Sequence, residues 1–184
     1  MTPPMADRPA VSIRFSAAEI ATRVDEMATE LAEKLPADTL VVSVLKGSFV
    51  FAADLIRALS HVGANWSMDF LTLSSYGTGT QTTGSVRIVR DIVDDVRGRD
   101  VLLVDDILES GFTLSFAKNL IQERGAHRVW ICTLLDKPEK RRVPLEADFT
   151  GFRAGDEFLV GYGLDWAHRF RGLPYIGVVE KPAA

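Results

Sequence analysis

The sequence predicts an α/β domain built around a parallel sheet. Strand–turn–helix units recur along the chain, and residues 101–104 form a run of four branched aliphatic residues, which is typical of a strand buried on both faces. With 184 residues and a hydrophobic content of 47%, the chain is long and apolar enough for one globular domain with a substantial core. A single α/β domain is therefore the fold that the sequence favours.

The helices are predicted from capping signals and from apolar residues spaced three or four apart. Ser16 and Glu19 have the spacing of a capping box, and the apolar stripe that follows them ends at Pro36. The strands are predicted from short apolar or alternating runs bounded by glycine and polar turns. In chain order the predicted elements are a helix over 16–35, a strand over 40–45, a helix over 49–59, strands over 66–73, 86–92 and 101–104, a helix that begins near Leu114, and strands over 128–135 and 149–152.

Residues 101–113 carry the clearest chemical signal. Asp105 and Asp106 follow the aliphatic run, and residues 110–113 form a small-residue turn that opens the next helix. Ligands collect beyond the carboxyl ends of strands in open α/β sheets, and a helix N-terminus offers unpaired N–H groups to a phosphate. Carboxylates beside such a site are suited to ribose hydroxyls or to hydrated Mg²⁺. Acidic helix caps explain part of the pattern without any ligand.

Composition excludes several other classes of function. The net charge is −4, with 21 basic and 25 acidic residues spread along the chain, so no basic stripe predicts binding to nucleic acid. The one cysteine, Cys132, lies in an apolar run, which excludes a disulfide framework and favours a buried thiol over a nucleophile. No apolar run is long enough for a membrane span, and residues 1–10 do not resemble a signal peptide. A cytoplasmic protein without membrane contact is expected.

The motif at 101–113 resembles the phosphoribosyl pyrophosphate (PRPP) signature of the type I phosphoribosyltransferases. Both have a hydrophobic strand, two acids, two aliphatic residues and then an acid–small–Gly–x–Thr loop. Three further motifs follow the order of the hypoxanthine-guanine (6-oxopurine) phosphoribosyltransferases, and the resemblance extends over about residues 11–179. It implies a single domain over 1–184 with a mostly parallel twisted sheet at about 40–150, flanked by helices and capped by a small hood from the terminal segments.

The resemblance implies transfer of ribose 5-phosphate from PRPP to hypoxanthine or guanine, giving IMP or GMP and pyrophosphate, with Mg²⁺ as cofactor. A homodimer or homotetramer is expected from the family and from the symmetry of most oligomers. Two alternatives stay open, a xanthine-preferring enzyme and a PRPP-sensing regulatory protein of the same fold. A receiver domain is excluded because its acid pair would lie near the chain start, and no Walker P-loop sequence occurs.

Each implied role falls on a residue that matches a family motif. The ribose and the 5′-phosphate would meet Asp105, Asp106, Glu109, Ser110, Gly111, Phe112 and Thr113. The pyrophosphate group would meet Lys46, Gly47, Ser75, Tyr76 and Arg171. The metal ligands would be Asp105, Asp106 and Asp165. Without the resemblance, a Lys–Gly turn is more often a solvated connection, and the composition of residues 74–85 fits a lid and a disordered segment equally well. The resemblance favours a lid, which begins with Ser75 and Tyr76 and would exclude water from the reacting centre.

The purine-binding residues implied by the resemblance are Lys137, Phe158, Leu159 and Asp165. An ammonium group at Lys137 would select a 6-oxo acceptor over an amino group, because it can only donate hydrogen bonds. Phe158 would stack on the base, although an aromatic residue beside a glycine-rich strand is otherwise ordinary core. Most of the other charges of residues 136–142 are predicted to lie in a solvated loop.

Glu109 departs from the family pattern. The family usually has aspartate here, acting as general base near the purine imidazole, whereas glutamate is longer by one methylene. Both are carboxylates of similar reference pKa, so the chemistry is preserved in principle. The longer side chain could fold back to reach the same nitrogen, or turn away and leave the proton to water. Phe112 also places an aromatic residue where a polar or basic one is frequent.

Overall fold

The computed structural model describes residues 10–75 and 86–179. Three α-helices, one 3₁₀ helix (Pro138–Lys140) and nine strands lie in these ranges. In chain order they are β1 (Val11–Phe15), α1 (Ala17–Lys34), β2 (Leu40–Leu45), α2 (Phe49–His61), β3 (Ser67–Ser75), β4 (Val86–Arg90), β5 (Asp100–Leu108), α3 (Phe112–Glu123), β6 (Arg128–Asp136), β7 (Phe149–Arg153), β8 (Leu159–Val160) and β9 (Ile176–Val179). None of the helices in these ranges is long and apolar enough to cross a membrane.

The main sheet has six strands in the order β4-β3-β2-β5-β6-β7. Five of them run parallel, and only β4 at one edge pairs antiparallel with its neighbour. Helices α1 and α2 cover one face, packing on Leu102 and Val104, and α3 covers the other, packing on Val101 and Leu103. All four of these β5 side chains are fully buried, which confirms the predicted strand with two buried faces.

A smaller antiparallel sheet, in the order β1-β9-β8, joins the two ends of the described chain. Val11 in β1 pairs with Val179 in β9, and β9 pairs in turn with Leu159 and Val160 of β8. This sheet is the hood that the resemblance implied, and together with the main sheet it confirms the predicted α/β fold class.

Most predicted elements are confirmed, but two predicted boundaries within residues 101–113 were wrong, the end of β5 and the start of α3. Strand β5 does not end before the acid pair but continues to Leu108, because β6 extends alongside it in register as far as Asp136. Helix α3 begins at Phe112 rather than near Leu114, with Gly111 at its N-cap in the left-handed conformation (φ 86°) that glycine adopts without steric cost. The capping box of α1 is present, with the Ser16 N–H donating to the Glu19 carboxylate at 2.8 Å.

Candidate active site

Two cavities adjoin at the carboxyl ends of the central strands. The first, of about 290 Å³, lies between the turn after β2 and the residues that link β5 to α3. The second, of about 210 Å³, lies between the end of β6 and the segment that leads into β8. Asp106, Ile107 and Glu109 line both cavities. A ligand that filled the first cavity would therefore meet a ligand in the second at these three residues.

The acid pair forms the floor of the first cavity. Asp105 is 8% exposed, and its Oδ1 accepts a hydrogen bond from the Asp106 N–H at 3.0 Å. Burial, and then the neighbouring Asp106 charge, raise the pKa of Asp105 well above its usual value. Burial also raises the pKa of Asp106, while the Arg171 guanidinium acts against that rise. The ionised form of the pair is therefore unfavourable in these surroundings, and a cation or hydroxyl donors would stabilise it.

The turn after β2 approaches the acid pair with its backbone. A Cβ at Gly47 would lie 1.8 Å from Asp106 Oδ2, so no other residue fits there without displacing that carboxylate. A Cβ at Gly163 (φ 102°) would in turn lie 2.1 Å from the Gly47 carbonyl oxygen. Lys46, which lines the first cavity, is joined to Leu45 by a cis peptide bond. The turn is thus held between the acid pair and the loop after β8.

The residues between β5 and α3 close the other side of the first cavity. Residues 109–113 are called the phosphate turn below. Glu109, Ser110, Gly111 and Thr113 line the cavity, and within the described ranges no protein group accepts a hydrogen bond from the backbone N–H groups of 110–114. Free N–H groups at a helix N-terminus attract anions, and the helix dipole adds to that attraction. This side of the cavity is therefore suited to a phosphate.

The second cavity combines a buried cation with an exposed aromatic ring. Lys137 is 4% exposed, and its Nζ donates to Glu109 Oε1 and to the Glu157 carbonyl oxygen, both at 2.8 Å. The Phe158 ring is 53% exposed and lines the same cavity. The Glu109 carboxylate therefore turns toward Lys137 and the second cavity. An ammonium has three donors, so one stays available to a ligand.

Arg171 lines neither cavity and is held by two groups of its own segment. Its Nη2 pairs with Asp165 Oδ1 at 2.6 Å, and its Nη1 donates to the Gly163 carbonyl oxygen at 2.6 Å. Asp165 Oδ2 also accepts a hydrogen bond from the His168 N–H at 2.8 Å. Asp165 and Arg171, predicted for the metal and for pyrophosphate, are thus paired with each other.

Comparison with known proteins identifies the family to which the chain belongs. The family model described as "Phosphoribosyl transferase domain" matches residues 16–166. This chain belongs to the hypoxanthine-guanine phosphoribosyltransferase family. It is 45% identical over 172 residues to a hypoxanthine phosphoribosyltransferase of Escherichia coli K12, with 92% of this chain and 95% of that protein covered.

Two further relatives agree with that assignment. The chain is 46% identical over 173 residues to a hypoxanthine-guanine phosphoribosyltransferase of Bacillus subtilis, with 93% of each protein covered. The crystal structure of a hypoxanthine phosphoribosyltransferase from Staphylococcus aureus superimposes with a TM-score of 0.87 at 36% identity, covering 98% of this chain and 96% of that one. The phosphoribosyltransferase fold thus extends over nearly the whole chain.

The structure gathers most of the predicted site residues around the two cavities. The residues that line the first are Lys46, Gly47, Asp105, Asp106, Glu109, Ser110, Gly111 and Thr113. The residues that line the second include Lys137, Phe158, Leu159 and Asp165. Phe112 lines neither cavity. Ser75 ends β3, Tyr76 lies outside the described residues, and the lid predicted over 74–85 therefore stays a prediction.

Arg141 is a further residue that the sequence did not single out. Most charges of residues 136–142 were predicted to lie in a solvated loop, and Arg141 is an exception, because its side chain is 15% exposed and pairs with Asp136. The Arg141 Nη1 also donates to the carbonyl oxygens of Leu108 and Glu109, at 3.0 Å for Leu108. No signal in the sequence separates this arginine from the charged residues around it.

Proposed function

We propose that the chain transfers ribose 5-phosphate from PRPP to hypoxanthine or guanine and thereby acts in purine salvage. The observation that carries the proposal is the meeting of the two cavities at Asp106 and Glu109. One cavity has donors for a phosphate and carboxylates for a sugar, and the other has a buried lysine and an exposed ring for a base. The products would be IMP or GMP and pyrophosphate.

The first cavity would hold PRPP. The free N–H groups of the phosphate turn support binding of the 5′-phosphate, and the hydroxyls of Ser110 and Thr113 add donors. Asp105 and Asp106 would hold the ribose hydroxyls, since carboxylate oxygens accept hydrogen bonds from hydroxyl groups. Lys46 and Arg171 would neutralise the leaving pyrophosphate, for which Arg171 would have to leave Asp165. Holding both ends of PRPP would fix the anomeric carbon for attack.

The second cavity would hold the purine. Two of the three Lys137 donors already have partners, and the third would donate to the 6-oxo group. Phe158 would stack on the ring, and Leu159 would offer its main chain. Glu109 would accept the proton released from the imidazole nitrogen as the base attacks the anomeric carbon. Its carboxylate, next to Lys137, is turned into the cavity that the base would fill.

Mg²⁺ fits the acid pair. Burial raises the pKa of both Asp105 and Asp106, so a divalent cation would remove an electrostatic cost that the folded chain otherwise bears. Mg²⁺ commonly binds through one or two carboxylates, water and substrate oxygens, and this pair would supply the carboxylates. When bound, the ion would neutralise charge that develops on the pyrophosphate.

The proposal extends to the organisation of the protein. Residues 1–184 would form one catalytic domain, and the protein would be a homodimer or homotetramer, which sedimentation equilibrium would test. The buried thiol of Cys132 is compatible with a cytoplasmic location.

One assay tests the activity directly. Purified protein with Mg²⁺ and PRPP is incubated with hypoxanthine, guanine, xanthine or adenine, and nucleotide formation is followed by chromatography. We expect turnover with hypoxanthine or guanine and none with adenine, because Lys137 has no acceptor for an amino group. Turnover with xanthine alone would support the xanthine-preferring alternative. PRPP binding without turnover of any purine would support a regulatory protein, an alternative that Lys137 and Phe158 do not favour.

A further inference from the structure

The loop that follows β6 lies behind the phosphate turn. Residues 137–145 are called the backing loop. The Lys137 N–H donates to the Leu108 carbonyl oxygen and the Arg142 N–H donates to the Ser110 carbonyl oxygen, both at 3.0 Å. The Arg141 guanidinium donates to the carbonyl oxygens of Leu108 and Glu109. The backing loop therefore engages three consecutive carbonyl groups, those of residues 108–110.

This contact determines which way the N–H groups of the turn point. In a planar trans peptide, the C=O of one residue and the N–H of the next point in opposite directions. Because the carbonyls of residues 108–110 point into the backing loop, the N–H groups of residues 109–111 point away from it. Glu109, Ser110 and Gly111 line the first cavity. Their N–H groups therefore point toward the cavity in which the 5′-phosphate is proposed to bind.

Arg141 is the only side chain of the backing loop that makes these contacts among the described residues. Its guanidinium also binds the Asp136 carboxylate, and the two side chains are 15% and 13% exposed. A planar guanidinium can hold two carbonyls and one carboxylate at once, which a lysine ammonium cannot do in the same plane. Gly111 packs closely here, because a Cβ on it would lie 2.7 Å from Val143 Cγ2.

We infer that Arg141 is a positioning residue for the 5′-phosphate site. It lines neither cavity and acts through the peptide groups that it orients. The partly buried guanidinium fixes the carbonyl groups of Leu108 and Glu109 through its Nη1, and the N–H groups of the same two peptides, those of Glu109 and Ser110, stay aimed at the phosphate without a change of conformation on binding. The inference rests on the proposed function, because it assumes that the turn binds the phosphate of PRPP.

The test compares ligands that differ only in the 5′-phosphate. Arg141→Met keeps much of the packing volume and removes the fork, and Arg142→Met is the matched control, since Arg142 is exposed and contacts the turn through its backbone. Dissociation constants of IMP and inosine are measured by calorimetry, together with kcat and the KM of PRPP and hypoxanthine. In Arg141→Met we expect the Kd of IMP and the KM of PRPP to rise about 10- to 100-fold.

The Kd of inosine and the KM of hypoxanthine should change less than about 3-fold in Arg141→Met, and Arg142→Met should behave as wild type. Arg141→Lys should recover part of the IMP affinity, because it keeps the charge but not the fork. Equal weakening of IMP and inosine, or unchanged IMP affinity, would overturn the inference. Thermal unfolding shows whether Arg141→Met folds. If it does not, Asp136→Asn takes its place, because it removes the charge of the carboxylate that binds the Arg141 guanidinium. This variant must then lose affinity for IMP while it keeps its affinity for inosine.

The wild-type protein separates this inference from the proposed function. Binding of IMP without turnover of any purine refutes the proposed activity and leaves the IMP and inosine comparison valid. Failure of the wild type to bind IMP, PRPP or ribose 5-phosphate overturns both.

Discussion

Replacing Glu109 by glutamine tests whether this residue removes the proton of the purine. The Glu109 carboxylate lies 2.8 Å from Lys137 Nζ and borders both cavities. Glutamine has the same shape and can still accept the lysine hydrogen bond through its amide oxygen, but it cannot accept a proton. We expect Glu109→Gln to lower kcat by about 10²-fold or more, which corresponds to about 2.7 kcal/mol in the barrier. The KM of PRPP should stay within about 3-fold of wild type.

The same change has a separate effect on stability. Lys137 is 4% exposed and would keep only a neutral acceptor in place of a carboxylate. The loss of a charge-assisted hydrogen bond costs about 1 to 3 kcal/mol, and each kcal/mol lowers Tm by about 2–4 °C in a protein of this size. Initial rates should therefore be measured at least about 15 °C below the Tm of the variant, a margin slightly larger than the largest expected shift of about 12 °C, so that lost activity is not confused with unfolding.

Two variants control the experiment. Glu157→Gln removes a carboxylate from the neighbouring segment but leaves the bond from Lys137, because that bond ends on the backbone carbonyl of Glu157. Its kcat should be unchanged. Glu109→Asp keeps a carboxylate at this position and should therefore retain most of the wild-type rate, since aspartate is the residue usual in the family. A wild-type kcat in Glu109→Gln would refute the proposed role and assign the proton to water.

Three further predictions concern the acid pair and a buried carboxylate outside the site. Gly47→Ala should lower activity by at least about 10²-fold by displacing the Asp106 carboxylate, whereas Gly172→Ala, where a Cβ meets nothing within 4 Å, should leave steady-state rates unchanged. Asp105→Asn should raise the Tm of the unliganded protein at pH 7, because burial raises the pKa of Asp105 and makes its ionised form unfavourable in the folded state, and it should abolish Mg²⁺-dependent PRPP binding in calorimetry. Burial alone would raise the pKa of Asp69, but three backbone N–H donors lower it below its usual value. The Asp69 carboxylate should therefore stabilise the fold fully above the unfolded-state pKa of about 3.9, and this contribution should be lost as pH falls through the lower pKa of the folded state. Denaturant unfolding from pH 7 to pH 2 should show that loss in wild type and a smaller one in Asp69→Asn.

Much of the fold could be predicted because its signals are local. The capping box at Ser16 and the aliphatic run of β5 each depend on residues that are neighbours in the chain. The strand that continues past Asp105 to Leu108 could not be predicted, because a carboxylate is unusual in a strand and only the alignment of β6 beside it explains the extension. The pairing of Val11 with Val179 in the hood joins opposite ends of the chain and leaves no local pattern.

Residue types in the site were predictable, but their partners were not. The motifs indicated that Asp165 and Arg171 belong to the site, yet nothing in the sequence shows that they pair with each other across six residues of chain. The direction of the Glu109 side chain was likewise open until the structure placed its carboxylate on Lys137. Arg141 is indistinguishable in sequence from its exposed neighbours, because its burial depends on carbonyl groups of another loop.

The backbone contact of Gly163 with Gly47, and of Gly47 with Asp106, limits how this protein can evolve. A Cβ at Gly163 would collide with the Gly47 carbonyl oxygen at a positive φ, and a Cβ at Gly47 would displace the Asp106 carboxylate, so selection on any substrate that needs this carboxylate should retain both glycines. The rim of the second cavity is open by comparison, since the Phe158 ring is half exposed. Random libraries selected on altered purines should therefore accumulate substitutions at residue 158, retain glycine at 47 and 163, and spare Leu159, which is 5% exposed and packs in the core. New specificity would come from the wall proposed to face the base, while the wall proposed to face pyrophosphate stays constant.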